Sequence, residues 1–548
     1  MFKGHPKGLF VLFLSNMGER FGYYTMLAIF TLYLQDHFGF DETKAASIYG
    51  YFLAGIYIMP LVGGLIADYL LGYGKTVLLG IIIMGLGYAM LAQPAASPAP
   101  VYISLAVISL GVGLFKGNLI VIVGNLYDKS GFGHLRDAAF NIFYMGINIG
   151  AFFAPHAASG IKNYIMKNAG LTYDSAIPKI ANELIKTGSS EKINKLQSFS
   201  GITDHAQLIE YSKHYLDVLS RGYNWGFAIA GLSMLVSIFI FIAFRKHYKE
   251  ADYRHKDKIK TGDAIELSPK QVKDRIVALL LVFLIVIFFW LAFHQNGSTL
   301  TFFAKNYTDL NTSRFTFMLF DVPAILSFFV FVLAVISFWN KTMSLMWKII
   351  LRVLGIAGIG YITYLLISLP SANKVGPELF QSFNPIFIVV LTPVIVGYFT
   401  YLNSKKKEPS SPAKIGFGMA ITAIGFSLMF IASLGLPSVG SLKGNVSSIT
   451  VSPYWLISTY FTLTIAELFL SPMGLSFVSK VAPPKIKGLM QAGWLGATAI
   501  GNILAGYVGR FYQHWELWQF FTLLIVTCLL SAIIMALILK KIKAATES

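Results

Sequence analysis

The sequence predicts an all-α membrane protein, and three observations carry that expectation. The 548 residues are 55% hydrophobic and only 13% charged, where a soluble chain would be charged at about a quarter of its positions. Mean hydropathy is +0.63, and the apolar residues gather in runs of about twenty or more, each long enough to cross some 30 Å of hydrocarbon as a helix. Runs of that length are about twice what a strand of a membrane β-barrel needs. Lipid offers the backbone no hydrogen-bond partner, so the helix is the form that satisfies such a run.

Fourteen candidate spans follow in order, at residues 8–34, 46–70, 75–93, 101–126, 138–160, 223–244, 275–299, 315–339, 347–369, 380–402, 413–436, 453–479, 486–512 and 516–540. With the N-terminus placed inside, the inner segments are basic: Arg245 to Arg275, Lys405 to Lys407, Lys480 to Lys487, and the tail with Lys540, Lys541 and Lys543. The short outer segments 93–100 and 437–452 hold at most one basic residue each. The positive-inside rule therefore puts both termini in the cytoplasm of a multi-pass protein, expected in a bacterial inner membrane. The net charge of +18 is explained by those loops, not by nucleic-acid binding.

The spans divide the chain into 1–244 (six spans, with an extracytoplasmic insert at 161–222), a basic cytoplasmic linker at 245–274, and 275–548 (eight spans). Lys3 and Lys7 precede the first span without a small-residue cleavage site, so it reads as a retained helix. Cys528 is the single cysteine, which removes disulfide frameworks and cysteine metal sites. No metal and no organic cofactor is expected.

Charges inside spans are costly and usually face a bundle interior or cavity. In the first span Asn16, Glu19, Arg20, Tyr23, Tyr24 and Leu27 form one helical stripe. Arg20 lies 14 residues from the outer end of its span, Lys116 lies 15 from the outer end of the fourth, and Glu467 lies 14 from that of the twelfth. At 1.5 Å per residue all three sit about 21–23 Å deep, near the midplane. Two cations come from the first half and one anion from the second. A site between halves at that depth is where secondary transporters hold their substrates. The competing reading is an ion-pair network that only fixes packing; three charges at one depth on different helices, beside a tyrosine pair, favour a polar cavity.

Trp290 and His294 share one face of the seventh span, and Trp494 and Thr498 share one face of the thirteenth. Trp494 lies too deep for an interfacial anchor. The glycine-rich run Gly111 to Asn118 sits inside an apolar span with no preceding strand, which excludes a phosphate loop. Asp321 and Arg352 fall near opposite faces of the membrane and are expected to reach the interfaces.

The residues then acquire a family likeness. Glu19-Arg20-Phe21-Gly22-Tyr23-Tyr24 resembles the ExxERFxYY motif of the proton-dependent oligopeptide transporter (POT/PTR) family of the major facilitator superfamily. Gly63 to Asp68 with Gly72 and Lys75 resembles its loop after helix two, Phe115-Lys116 with Asn118 its FKxN, Phe143 to Gly150 its FYxxINxG, and Ala466 to Leu475 its AELxxSPxGL. Together with Gln381 to Pro385 and Gly493-Trp494, the match runs in order from residue 8 to the end.

The resemblance implies a major facilitator fold: two six-helix bundles plus two extra transmembrane helices at 315–369, packed outside the twelve-helix core. It implies a symporter of di- and tripeptides driven by protons and working as a monomer by alternating access. Arg20 and Lys116 would hold the peptide carboxylate and Glu467 its amino group. Tyr23, Tyr24, Tyr57, Asn148, Trp290, Asn384, Trp494 and Thr498 would line the pocket. Glu19, Glu467 and His294 are the candidate proton carriers, and Asp68, Lys75, Arg136, Asp137 and Leu27 the conformational residues. Lys116 and Glu467 are expected to pair across the empty cavity.

The departures cluster. The first acid of ExxER is Asn16; the helix-one Arg of the outer gate is Leu27; and its acidic partner on helix seven is His294. Both ends of that gate are replaced together, which leads to the expectation that His294 takes part of the proton-carrying role, since imidazole titrates nearer external pH than a carboxyl does. Three alternatives stand beside peptide symport. A small anion such as nitrate or a carboxylate would suit Arg20 and Lys116 but not Glu467. A non-transporting peptide sensor would signal through 161–222. A membrane protease would need a nucleophile–base pair or metal ligands, and no HExxH or GxSxG is present.

Overall fold

The computed structural model describes residues 4–127, 135–253, 268–340, 343–442, 445–483 and 486–547. In the first half run α1 (Lys7–Phe38), α2 (Glu42–Ile66), α3 (Tyr73–Leu91), α4 (Pro98–Asn125), α5 (Arg136–Asn168), the short α6 (Ile177–Thr187) and α7 (Ile193–Ser200), and α8 (His205–Ala243). In the second run α9 (Pro269–Phe293), α10 (Thr299–Tyr307), α11 (Arg314–Met318), α12 (Val322–Trp339), α13 (Leu345–Ser368), α14 (Phe383–Ser404), α15 (Ser411–Ser433), α16 (Tyr454–Val481), α17 (Lys487–His514) and α18 (Leu517–Glu547).

Every one of the fourteen expected spans is occupied by helix. Among the described residues, ten helices are long and apolar enough to cross a membrane on length and composition alone. The other four, α1, α5, α16 and α17, are the helices that hold Glu19 and Arg20, Asn148, Glu467 and Trp494.

Local chemistry sets the helix ends. The Asp41 side chain caps α2 through the Lys44 N–H at 2.7 Å, and Ser268 and Gln271 form a capping box with Pro269 at the start of α9. Helix α1 stops at Gly39, whose φ of 66° is the left-handed conformation a C-terminal glycine supplies. The seventh span differs from the single helix expected. It breaks after Phe293 into a 3₁₀ turn, His294–Gly297, and resumes as α10. Gly297 lies against the Tyr49 phenol, where a Cβ would overlap the ring, so the break brings backbone of one half onto α2 of the other.

Helices α1, α5 and α8 pack together, α4 packs on both α2 and α3, and α3 joins α8. In the second half α9 packs on α17 and α18, α15 on α16 and α18, and α14 on α16. The glycine-rich run is continuous helix: Gly113 of α4 meets α2 backbone at Met59, and Asn118 Nδ2 donates to Gly63 O at 3.0 Å. Helices α12 and α13 make their main contacts with each other. Asp321 caps α12 through the Ala324 N–H, and Arg352 lies 3.9 Å over the Phe338 ring, so both ionisable groups stay within this pair. A two-residue ladder, β1 (Asn311–Thr312) against β2 (Asn373–Lys374), brings the chain back to its departure point.

The halves meet mainly through α2 with α17 and α5 with α14. Gly50 and Gly506 permit the first contact. A Cβ at Gly50 would come within 2.9 Å of the Gly506 Cα, so the helices touch backbone to backbone.

Candidate functional site between the two bundles

Helix α1 brings the motif acid and base into direct contact. Arg20 donates through Nε and Nη2 to both oxygens of Glu19, each at 2.5 Å, and lies 4.6 Å from the centre of the Tyr23 ring. Tyr23 and Tyr24 meet edge to face with centroids 5.0 Å apart. The neighbouring carboxylate occupies the guanidinium in this conformation, which any ligand carboxylate must share or displace.

Lys116 of α4 lies 4.4 Å over the Tyr57 ring of α2. Across the interface, Asn384 of α14 donates from Nδ2 to Glu467 of α16 at 2.8 Å and to the Thr464 hydroxyl at 3.1 Å. The expected Lys116–Glu467 pair is therefore absent among the described residues. Each group is held by its own half, the ammonium by an aromatic face and the carboxylate by an amide. Asn148 of α5 is partly exposed, and its amide donates to the Tyr144 carbonyl at 3.3 Å.

Trp290 and His294 stack at 4.9 Å with their planes 19° apart, and the Tyr57 ring lies 6.1 Å from His294. The aromatic chain Tyr57, His294, Trp290 thus joins the halves beside Lys116. The Trp290 indole N–H, His294 Nδ1 and both amide atoms of Asn502 on α17 are buried without a well-formed hydrogen bond among the described residues. Leu27 is buried in the apolar core of α1.

Trp494 is 4% exposed, edge-on to Phe283, and its indole covers Gly474, where a Cβ would overlap the ring. Thr498 is 1% exposed and its hydroxyl is taken by the Trp494 carbonyl at 3.2 Å. It shapes the wall more than it offers a donor. Asp68 accepts from the Tyr73 hydroxyl at 2.7 Å in the π turn that follows α2, and Lys75 is exposed. The side chains of Arg136 and Asp137, and linker residues 254–267, lie outside the described residues.

The structure adds charges that the sequence reasoning missed. Lys305 donates to Asp36 at 2.6 Å and to Gln35 at 3.2 Å, and Lys162 donates to Glu378 at 2.6 Å. Both ion pairs cross between halves at the end of the bundle where α1 stops and α2 begins. All four residues lie just beyond the expected spans, where charged side chains are ordinarily solvated. The usable signal was the appearance of both signs at span ends of both halves.

A model of the PTR2 (POT) family matches residues 74–265 and 366–520, which is more than half of the chain. The chain belongs to the POT family. This member is 29% identical over 531 residues to the peptide transporter YePEPT of Yersinia enterocolitica, covering 93% of this chain and 88% of that one. It is 26% identical to dipeptide and tripeptide permease B of Xenorhabdus bovienii, over 92% of this chain and 86% of that one. A solved POT family transporter in complex with 5-aminolevulinic acid superposes with a TM-score of 0.69 at 21% identity, covering 99% and 98% of the two chains. A peptide transporter POT in complex with sulfate gives 0.67 at 24%, covering 100% and 97%. These structures place the multi-pass chain in the major facilitator fold of twelve core helices plus two.

Proposed function

We propose that this POT-family chain is a proton-coupled symporter that imports di- and tripeptides across a bacterial inner membrane by alternating access. Both termini are cytoplasmic, the moving units divide at 245–274, and the working form is a monomer. Relatives named as peptide transporter and as dipeptide and tripeptide permease support the substrate class. The observation that carries the reading is the division of charge across the interface. Arg20 and Lys116 stand on the first half, and Glu467, held by Asn384, stands on the second.

A zwitterionic peptide fits that division. Its carboxylate approaches Lys116 and Arg20, and its ammonium approaches Glu467. Neither end needs a cofactor, and no group is assigned a covalent step. Bridging the two walls draws the halves together, so the ligand has the differential affinity for two states that a conformational change requires. Protons enter through Glu19, Glu467 or His294. Moving one proton with a neutral zwitterion carries one net charge, about 2.3 kcal/mol per 100 mV, which corresponds to roughly a fifty-fold gradient.

Competition against labelled Ala-Ala uptake tests the polarity of the site. Ala-Ala competes and N-acetyl-Ala-Ala, which lacks the ammonium, does not. Equal competition by the two would contradict the role given to Glu467. In His294→Gln the dependence of uptake on external pH shifts or flattens; an unchanged profile removes His294 from the coupling path.

A further inference from the structure

Two ion pairs close the end of the interface where α1 runs out, and each half contributes one charge of each sign. Asp36 and Lys162 belong to the first half, Lys305 and Glu378 to the second. The Lys162 and Glu378 side chains are both 0% exposed, and those of Lys305 and Asp36 are 8% and 1%. The pairs are connected. Tyr173 and Tyr223 donate to the second oxygen of Asp36 at 3.2 and 2.6 Å, and Lys162 lies 4.0 and 5.7 Å over those same two rings.

The insert holds this network from outside. Tyr173 belongs to the turn between α5 and α6, Asn182 of α6 donates to the Asp36 carbonyl at 2.8 Å, and Asp174 pairs with Lys374 of the other half at 2.8 Å. The two positions that would form the family's outer gate, Leu27 and His294, carry no ion pair among the described residues. Four buried charges nearer the end of the bundle connect the halves instead.

We propose that Asp36, Lys305, Lys162 and Glu378 are the outer gate of this transporter, and that the part of segment 161–222 beyond α5 is the clamp that keeps them dry. The inference rests on the alternating-access reading. Separating the halves at this end must return four charges to water at once. Removing only one partner leaves an uncompensated buried charge that would itself disrupt the contact, whereas removing a whole pair takes away the directional charge-assisted bond between the halves and leaves no charge behind. These are positioning residues: they touch no substrate and act through the population of the closed state.

The test uses full-length protein in intact cells with Cys528→Ser as background and Ser298→Cys as reporter. Ser298 is 2% exposed at the α9–α10 break. Labelling from outside with a membrane-impermeant maleimide then reads opening without any substrate. Asp36→Asn/Lys305→Met and Lys162→Met/Glu378→Gln each raise the labelling rate by about fivefold or more, and each lowers the outside KM because the competent state is more populated. Folded double variants with unchanged labelling and unchanged KM overturn the proposal. If the doubles do not accumulate, Tyr173→Phe removes one hydroxyl from Asp36 and is read the same way, with unchanged labelling again the contrary result. Absence of peptide uptake by the wild type would count against the transport reading and leave the labelling result standing on its own.

Discussion

Asn384 donates to the Glu467 carboxylate and fixes it at mid-depth on the second half. A hydrogen bond to a charged group contributes about 1.5–3 kcal/mol, so Asn384→Ala raises the KM for Ala-Ala by about ten- to a hundredfold, measured by uptake at saturating proton gradient. Gly474 shows a different constraint at the same scale, because the Trp494 indole occupies the space of its missing side chain. Gly474→Ala overpacks that contact at a cost of about 1–3 kcal/mol, read as a lower thermal unfolding midpoint of the purified protein. Arg20, Lys116 and Glu467 were legible from helical rise alone, since a charge placed mid-span announces itself. The partners of each were not. Nothing in the spacing says that Arg20 turns to Glu19, that Lys116 rests on Tyr57, or that Glu467 takes an amide before an ammonium. Those choices depend on how far apart the halves stand.

Helices α12 and α13 form a self-contained element. They pack mainly on each other, and their chain enters and leaves beside the β1–β2 ladder. The junction itself is part of the core: Phe320 packs on Phe380 and Phe383, and its carbonyl faces His156 Nε2 at 3.1 Å. Replacing Val322–Leu369 with a short Gly-Ser linker while keeping Phe320 should therefore leave folding and Ala-Ala uptake within about twofold of wild type, as expected for a loop change that touches no core contact. The tie between Asp174 and Lys374 is also local to its element. Burial raises the Asp174 carboxyl, but the Lys374 ammonium and the Ala176 N–H outweigh it and hold it below the usual carboxylate range. A depressed carboxyl contributes above its unfolded pKa of about 3.9 and loses the contribution as pH falls through the folded value. The clamp therefore keeps this tie throughout pH 5–8, checked by equal spacer-crosslinking of the insert to residue 374 at both ends of that range. Hydropathy gave every long helix. It gave α5 and α8 too short, because their outer turns carry polar residues; those of α8 pack on α6 and α7 of the insert.

At the scale of the whole molecule, the two bundles touch through Gly50 and Gly506 and through the two buried ion pairs. All of these contacts lie toward one end. Each half of the proposed ligand site has its own polar lining: Arg20, Lys116 and Tyr57 on one side, Glu467 and Asn384 on the other. In the proposed cycle a peptide unites what the empty protein keeps apart, and the proton supplies the free energy. The division into halves comes from the basic segment between spans and from the order of the family motifs. The closed end was not readable in the sequence, because charged residues at span ends look solvated until the two halves are placed together. Accumulation of Ala-Ala in proteoliposomes, under an inward proton gradient and an inside-negative potential, addresses the central claim directly. Wild type should concentrate the peptide above its external level, and both an uncoupler and Glu467→Gln should abolish that accumulation. Correctly folded wild type that only equilibrates Ala-Ala, or that accumulates nitrate in its place, would contradict proton-driven peptide symport.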